Sequence, residues 1–175
     1  MHNLAARTVL TDSIVLKGQI ALVAGGTQGI GWAVARELRT RGCIVTVASR
    51  EPDKRTADLD QQSDIFRATC DVKKVSDLNA MFNKIIDEHG KLDIVVNCAG
   101  IGRGKSQRNW VDPVMNLDEA EWQEVSDVNL RGMFLVAKAA ARCMIPRRAG
   151  QIVNISSARS ARRGQPFASA YSATK

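Results

Sequence analysis

Hydrophobic positions along this chain switch repeatedly between two periods. Gln19 to Ala24 is a short apolar run, and Ile44 to Ala48 is another; both have the length and bounding residues of buried strands. Between them, Trp32 to Arg41 continues at helical period, with Ile30, Val34 and Leu38 on one stripe and Gly42 placed to end the helix. The alternation then repeats. Ile65 to Cys70 predicts a third strand. Val75, Leu78, Met81, Phe82, Ile85 and Ile86 form the apolar face of a helix that Gly90 terminates. Ile94 to Asn97 predicts a fourth strand, and Ile101 to Leu117 a polar loop. Asp118-x-x-Glu121 has capping-box spacing and opens a helix running to about Ile145, with an irregularity near Asn129-Leu130-Arg131-Gly132. Pro146 and Gly150 bracket its end, ahead of a fifth strand over Gln151 to Ile155.

Strands alternating with helices predict an α/β fold: a parallel sheet with helices on both faces, doubly wound because crossovers are right-handed. No internal repeat or linker interrupts the pattern. Residues 1–18 form an N-terminal extension, and residues 19–175 a single domain.

Composition narrows the class. A chain of 175 residues that is 45% hydrophobic and 25% charged suits one soluble domain with a substantial core. No apolar run approaches the ~18 residues of a membrane span, so no membrane partner is expected. The first eighteen residues lack a secretory apolar core. Cys43, Cys70, Cys98 and Cys143 show no metal-ligand spacing and read as reduced thiols in a cytoplasmic protein. Charge is unevenly placed: no acid follows Asp127, while Arg131, Lys138, Arg142, Arg147, Arg148, Arg159, Arg162, Arg163 and Lys175 all do. A solvated basic surface is favoured over a rim that attracts an anionic substrate or acidic carrier protein. No aromatic platform accompanies these charges, so no nucleic-acid partner is expected.

Two segments carry chemistry. Gly25-Gly26-Thr27-Gln28-Gly29-Ile30-Gly31 joins the first strand to the first helix, which is the context of a dinucleotide-binding turn. Glycines let backbone approach a pyrophosphate, and the helix N-terminus offers N–H donors and a positive dipole end. At the other end, Tyr171 and Lys175 lie four apart, so a helix places an ammonium beside a phenol and favours the phenolate. Ser49-Arg50 follows the second strand where an acid would bond a ribose hydroxyl. A guanidinium there fits a phosphate, which points to NADP(H) rather than NAD(H).

Taken in order, Gly25-x-x-x-Gly29-x-Gly31, Asn97-Cys98-Ala99-Gly100, Asn129, Ser157 and Tyr171-x-x-x-Lys175 resemble the short-chain dehydrogenase/reductase family. The resemblance runs from about Ile20 to Lys175. It implies a Rossmann-type fold and an oxidoreductase moving hydride between a nicotinamide and a carbonyl or secondary alcohol. By this resemblance Tyr171 is the acid/base, Lys175 bonds the nicotinamide ribose, Ser157 (a better fit than Ser156) bonds the substrate oxygen, and Asn129 braces a water. Gly25, Thr27, Gln28, Gly29, Ile30, Gly31, Ser49, Arg50, Asp71, Val72, Asn97, Ala99, Gly100, Tyr171 and Lys175 are the expected cofactor contacts, with Asp71-Val72 against the adenine.

Two positions depart from the commonest family pattern. Ala24 stands where a threonine usually precedes the first glycine, and Cys98 where a second asparagine is usual. The resemblance also implies that the C-terminal part is missing, since family members continue well past the lysine. A catalytically inactive nucleotide-binding fragment is therefore the alternative function. The full-length form is expected to be a homo-oligomer acting on a small molecule: a polyol, a 3-oxoacyl carrier or another ketone.

Overall fold

The computed structural model describes residues 16–52, 65–102, 114–158 and 169–175. Strands β1 (Ile20–Ala24), β2 (Ile44–Ser49), β3 (Ile65–Thr69), β4 (Ile94–Asn97) and β5 (Gln151–Asn154) form one sheet in the order β3-β2-β1-β4-β5. Every pairing is parallel, with Ala24 opposite both Ala48 and Asn97, and Asn97 opposite Asn154. Helix α1 (Gly29–Thr40) packs through Ala35 on the face carrying Ala21, Val23, Val45 and Val47. Helices α2 (Val75–His89) and α4 (Gly132–Met144) cover the opposite face through Leu78, Met81, Val136 and Ala140, against Leu22 and Val95. This is the expected Rossmann-type doubly wound sheet. Strand order reverses between β1 and β4, and ligands of such sheets bind beyond the strand ends at that reversal.

Several local boundaries differ from the sequence reading. Helix α1 begins at Gly29, not Trp32, and Ile30 is 67% exposed rather than part of the buried stripe. Val75, first in α2, is also exposed while Leu78 to Ile85 form the buried face. Both residues occupy a first helical turn, which stands beyond the sheet and has less to pack against. Gly90 ends α2 with φ 69°, as its position predicts.

The long helix expected from Asp118 to Ile145 is three segments. Helix α3 (Glu119–Ser126) leads into a π-helical turn at Asp127–Arg131, then α4, with a 3-10 turn at Ile145–Arg147. The irregularity thus falls at the predicted place, and π turns within α-helices often mark functional sites. Asp118 caps α3, but its Oδ1 accepts from the Ala120 N–H at 3.0 Å, one residue short of the capping-box pairing. The predicted loop closes with a 3-10 turn at Val114–Asn116; its residues 103–113 lie outside the described residues.

Part of the basic tract has a structural task. Arg147 donates to the Leu92 carbonyl and to Asp93 Oδ1 at 3.0 Å, and Asp93 Oδ2 accepts from the Ile20 N–H at 3.0 Å and pairs with Lys91 at 2.8 Å. Burial pushes the Asp93 pKa up, but these hydrogen bonds and the Lys91 charge together hold it below the usual carboxylate value. Arg131 donates to the Lys73 carbonyl. These bases are therefore not simply solvated, whereas Arg159, Arg162 and Arg163 lie outside the described residues, as do residues 1–15 of the extension.

Candidate active site

The glycine turn is shaped by close approach. Gly25 has φ 74°, and a Cβ there would stand 2.7 Å from the Ala99 nitrogen. A side chain at Gly31 would collide with the Gly25 carbonyl, so the turn, the start of α1 and the end of β4 form one tight unit. Gly29 is different: φ is 52°, and a Cβ there would meet nothing within 4 Å. The turn is crowded from below and open at Gly29. Thr27 is buried, while Gln28 and Ile30 are exposed beside that opening.

The second strand ends at the same edge. Ser49 Oγ is buried and has no hydrogen-bond partner among the described residues, and Arg50 beside it is exposed. The next strand leads to Asp71, whose Oδ1 accepts from the Lys73 N–H at 3.0 Å while its own N–H donates to Asp77 Oδ2. Val72 turns its side chain inward, where a Cβ on Gly132 would stand 2.8 Å from it. An adenine contact at Val72 would therefore use its backbone. At Cys70, just before Asp71, burial and then Asp77 and Asp71 push the thiol up to about 12, so it stays neutral.

At the far side of the reversal, side chains converge on Asn129. It sits within the π turn, fully buried. Its Oδ1 accepts from the Ile101 N–H at 2.8 Å, and its Nδ2 donates to the Ile101 carbonyl at 2.9 Å and to Thr174 Oγ1 at 3.2 Å. Thr174 belongs to helix α5 (Ser169–Thr174), which also carries Tyr171 and presents Lys175 at its end. Lys175 Nζ donates to the Ile155 carbonyl at 2.6 Å. A Cβ at Gly100 would lie 3.3 Å from Asn129 Oδ1 and 3.4 Å from Lys175 Nζ, so these three positions meet.

Ser156 Oγ donates to the Lys175 carbonyl. Ser157 follows it and is half-buried, like Tyr171. Asn97 is fully buried between β1 and β5; its Nδ2 donates to the Met133 carbonyl at 3.4 Å, but its Oδ1 has no partner among the described residues. Burial raises the Cys98 pKa, and the Lys175 charge opposes that shift.

The residues expected from sequence thus divide into two groups at the strand ends: Gly25 to Gly31 with Ser49, Arg50 and Asp71, and Asn129 with Gly100 and Lys175. Sequence reasoning missed Thr174 and the Ile101 and Ile155 backbone groups. Thr174 has one legible signal: with Ala170 it forms an i, i+4 pair on the buried side of α5. The backbone groups have none, because a carbonyl looks the same in every residue.

The residues present fit a bound dinucleotide. Open space at Gly29 faces the start of α1, and the buried Ser49 hydroxyl lacks a partner next to an exposed guanidinium. Among the described residues no cluster could hold a metal ion, and no helix is long and apolar enough to cross a membrane.

Comparison with known proteins agrees with this architecture. The family model for short chain dehydrogenase matches residues 19–175. The chain is 35% identical to the mitochondrial borneol dehydrogenase of Lavandula x intermedia, over 83% of this chain and 54% of that protein. It is 35% identical to acetoacetyl-CoA reductase of Allochromatium vinosum, over 90% and 63%, respectively. It is also 36% identical to 3-oxoacyl-[acyl-carrier-protein] reductase FabG of Chlamydia muridarum, over 92% and 64%. The crystal structure of gox2181 superposes with a TM-score of 0.83 at 28% identity, covering 93% of this chain and 63% of that one. The chain therefore spans little more than half to two-thirds of the length of these relatives. With its glycine turn, its π-turn asparagine and its Tyr-x-x-x-Lys helix on one doubly wound sheet, the chain belongs to the short-chain dehydrogenase family.

Proposed function

We propose that this chain provides the cofactor-binding and proton-transfer part of an NADP(H)-dependent oxidoreductase that interconverts a ketone and a secondary alcohol. The observation carrying this reading is the meeting of Gly100, Asn129 and Lys175 at the end of β4, across the strand-order reversal from the open turn at Gly29. A nicotinamide, when bound, supplies the hydride for reduction or receives it during oxidation. Tyr171 gives its hydroxyl proton to the carbonyl oxygen in the reducing direction and recovers it in the other. Ser157 bonds that oxygen and so orients the carbonyl. Lys175 commits one donor to Ile155, and an ammonium has three, which leaves donors for a ribose. Asn129 holds the Ile101 backbone, and through it the floor of the site.

NADP(H) rather than NAD(H) is supported by Arg50 and by the Ser49 hydroxyl, since a ribose phosphate would satisfy both. The names of the relatives describe alcohol dehydrogenation and 3-oxoacyl reduction, which supports the same substrate class here. A homo-oligomer is supported by the outer face of α3 and α4. Trp122, Leu130, Phe134 and Ile145 are exposed there. Acids at Glu119 and Asp127 precede bases at Lys138 and Arg142, so an antiparallel second copy would pair opposite charges. The unpaired state of all four cysteines fits a reducing, cytoplasmic setting.

The test is a paired titration and assay. NADPH should bind at least about tenfold more tightly than NADH, and Arg50→Ala should remove most of that difference, because a charge-assisted phosphate bond contributes roughly 1.5–3 kcal/mol. Tyr171→Phe should keep NADPH binding and lose turnover by about 10²–10⁴. Equal affinity for the two cofactors, or near-normal turnover in Tyr171→Phe, overturns the corresponding half of the reading.

A further inference from the structure

We propose that Thr174 is a positioning residue for this site: its hydroxyl ties helix α5 to the buried Asn129 and thereby helps to fix where Tyr171 and Lys175 stand. The inference rests on the proposed function for its catalytic consequence, but its structural half stands without it. The described part of helix α5 is Ser169–Thr174, and the contacts of its inward face bear on where it stands. That face is Ala170 and Thr174, each 5% exposed.

Thr174 Oγ1 works in two directions. Its hydrogen goes to the Ala170 carbonyl at 2.7 Å, with the Tyr171 carbonyl at 3.2 Å, and its oxygen accepts from Asn129 Nδ2 at 3.2 Å. Asn129 in turn exchanges two bonds with the Ile101 backbone, immediately after Gly100. The sequence of bonds therefore runs from the end of β4, through the π turn, to the helix that carries the tyrosine and lysine. Tyr171 lies three residues before Thr174, and Lys175 directly after it, so a rotation of α5 that broke this bond would displace both. A methyl in place of the hydroxyl would keep the volume, lose both bonds and leave an Asn129 N–H buried without an acceptor.

The experiment compares Thr174→Val and Thr174→Ser with the unaltered protein by two readouts. The first is amide hydrogen exchange, which needs no activity. In Thr174→Val the Ile101 and Lys175 amides should lose protection by about tenfold or more, while Leu22 in β1 is unchanged, as expected for a local opening after a lost hydrogen bond. Thr174→Ser should stay within about threefold of the unaltered protein, because it keeps the hydroxyl. The second readout follows turnover and binding together. Thr174→Val should lower kcat by about tenfold or more and weaken NADPH binding by about threefold or more, since a displaced α5 moves both the acid and the lysine that would bond the ribose. If Thr174→Val fails to fold, the comparison of Thr174→Ser with Thr174→Ala carries the same test.

Unchanged exchange on removal of the hydroxyl overturns the proposal, as does a serine variant as impaired as the valine one. Lost protection with unchanged kcat also overturns it, since the bond would then be structural only. A protein that binds no NADPH and turns nothing over refutes the proposed function instead; the exchange data then still decide whether the hydroxyl holds α5 to Asn129.

Discussion

At the Gly25–Gly31 turn the backbone is shaped by atoms it lacks, whereas around Asn129 it is shaped by side-chain atoms that bond. The turn lets the Ala99 backbone beyond β4 approach within 2.7 Å of where a Cβ on Gly25 would be. The Asn129 region has the opposite construction: one buried amide holds the Ile101 backbone on both sides and reaches Thr174. The difference predicts opposite vulnerabilities. The glycine turn should fail when atoms are added, and the Asn129 region when atoms are removed.

The largest effect is expected from one added methyl. In Gly31→Ala the new Cβ meets the Gly25 carbonyl, which is backbone and cannot rotate aside. A loss of about 3 kcal/mol or more is expected, because overpacking against fixed atoms costs at least the upper part of the usual range. Gly29→Ala adds the same methyl into open space and carries only the left-handed backbone penalty of roughly 1–2 kcal/mol. Thermal unfolding and NADPH titration of the two variants check the contrast. Greater damage from Gly29→Ala than from Gly31→Ala would break the steric account of the turn.

Removal of atoms at the other end should rank next. Asn129→Leu keeps similar bulk but strips the Ile101 N–H and carbonyl of their partners. About 2–3 kcal/mol of stability should be lost, as expected for buried polar groups left unsatisfied. Urea denaturation measures it. A loss below about 0.5 kcal/mol, the level of an ordinary surface change, would show that the amide contributes little to this end of the site.

How legible these ends were in the sequence follows from the same contrast. Glycine spacing is a signal carried by residue type, so Gly25, Gly29 and Gly31 were readable together with the strand and helix around them. The sheet was readable for a similar reason: β1, β2 and β4 are largely apolar runs buried on both faces. The π turn was readable only as an irregularity, because extra backbone in a helix leaves no composition of its own. Ile30 misled, since periodicity assigns a face without knowing where the sheet ends beneath it. Thr174 was overlooked because it acts through an amide partner distant in sequence. The pairing of Ser49 with Arg50 was legible as chemistry, and the structure adds the unpartnered hydroxyl that a phosphate would satisfy.

The smallest expected effect tests whether the comparison holds where the two ends meet. Ala24 and Asn97 are register partners in neighbouring parallel strands, so their side chains share a face, and both are fully buried. Asn97 Nδ2 reaches the Met133 carbonyl, but Oδ1 is left without a partner among the described residues. A hydroxyl at position 24, where the family usually has threonine, would stand beside that oxygen as a donor. Ala24→Ser adds one atom and should stabilise the protein by about 1 kcal/mol, the net contribution of a typical buried hydrogen bond. Ala24→Val adds two carbons and no donor and should destabilise it by about 1–3 kcal/mol through overpacking. Urea midpoints for the two variants give opposite signs if the missing donor is the defect. If Ala24→Ser destabilises as Ala24→Val does, space rather than hydrogen bonding governs this position, and the steric rule of the glycine turn extends one residue further into β1.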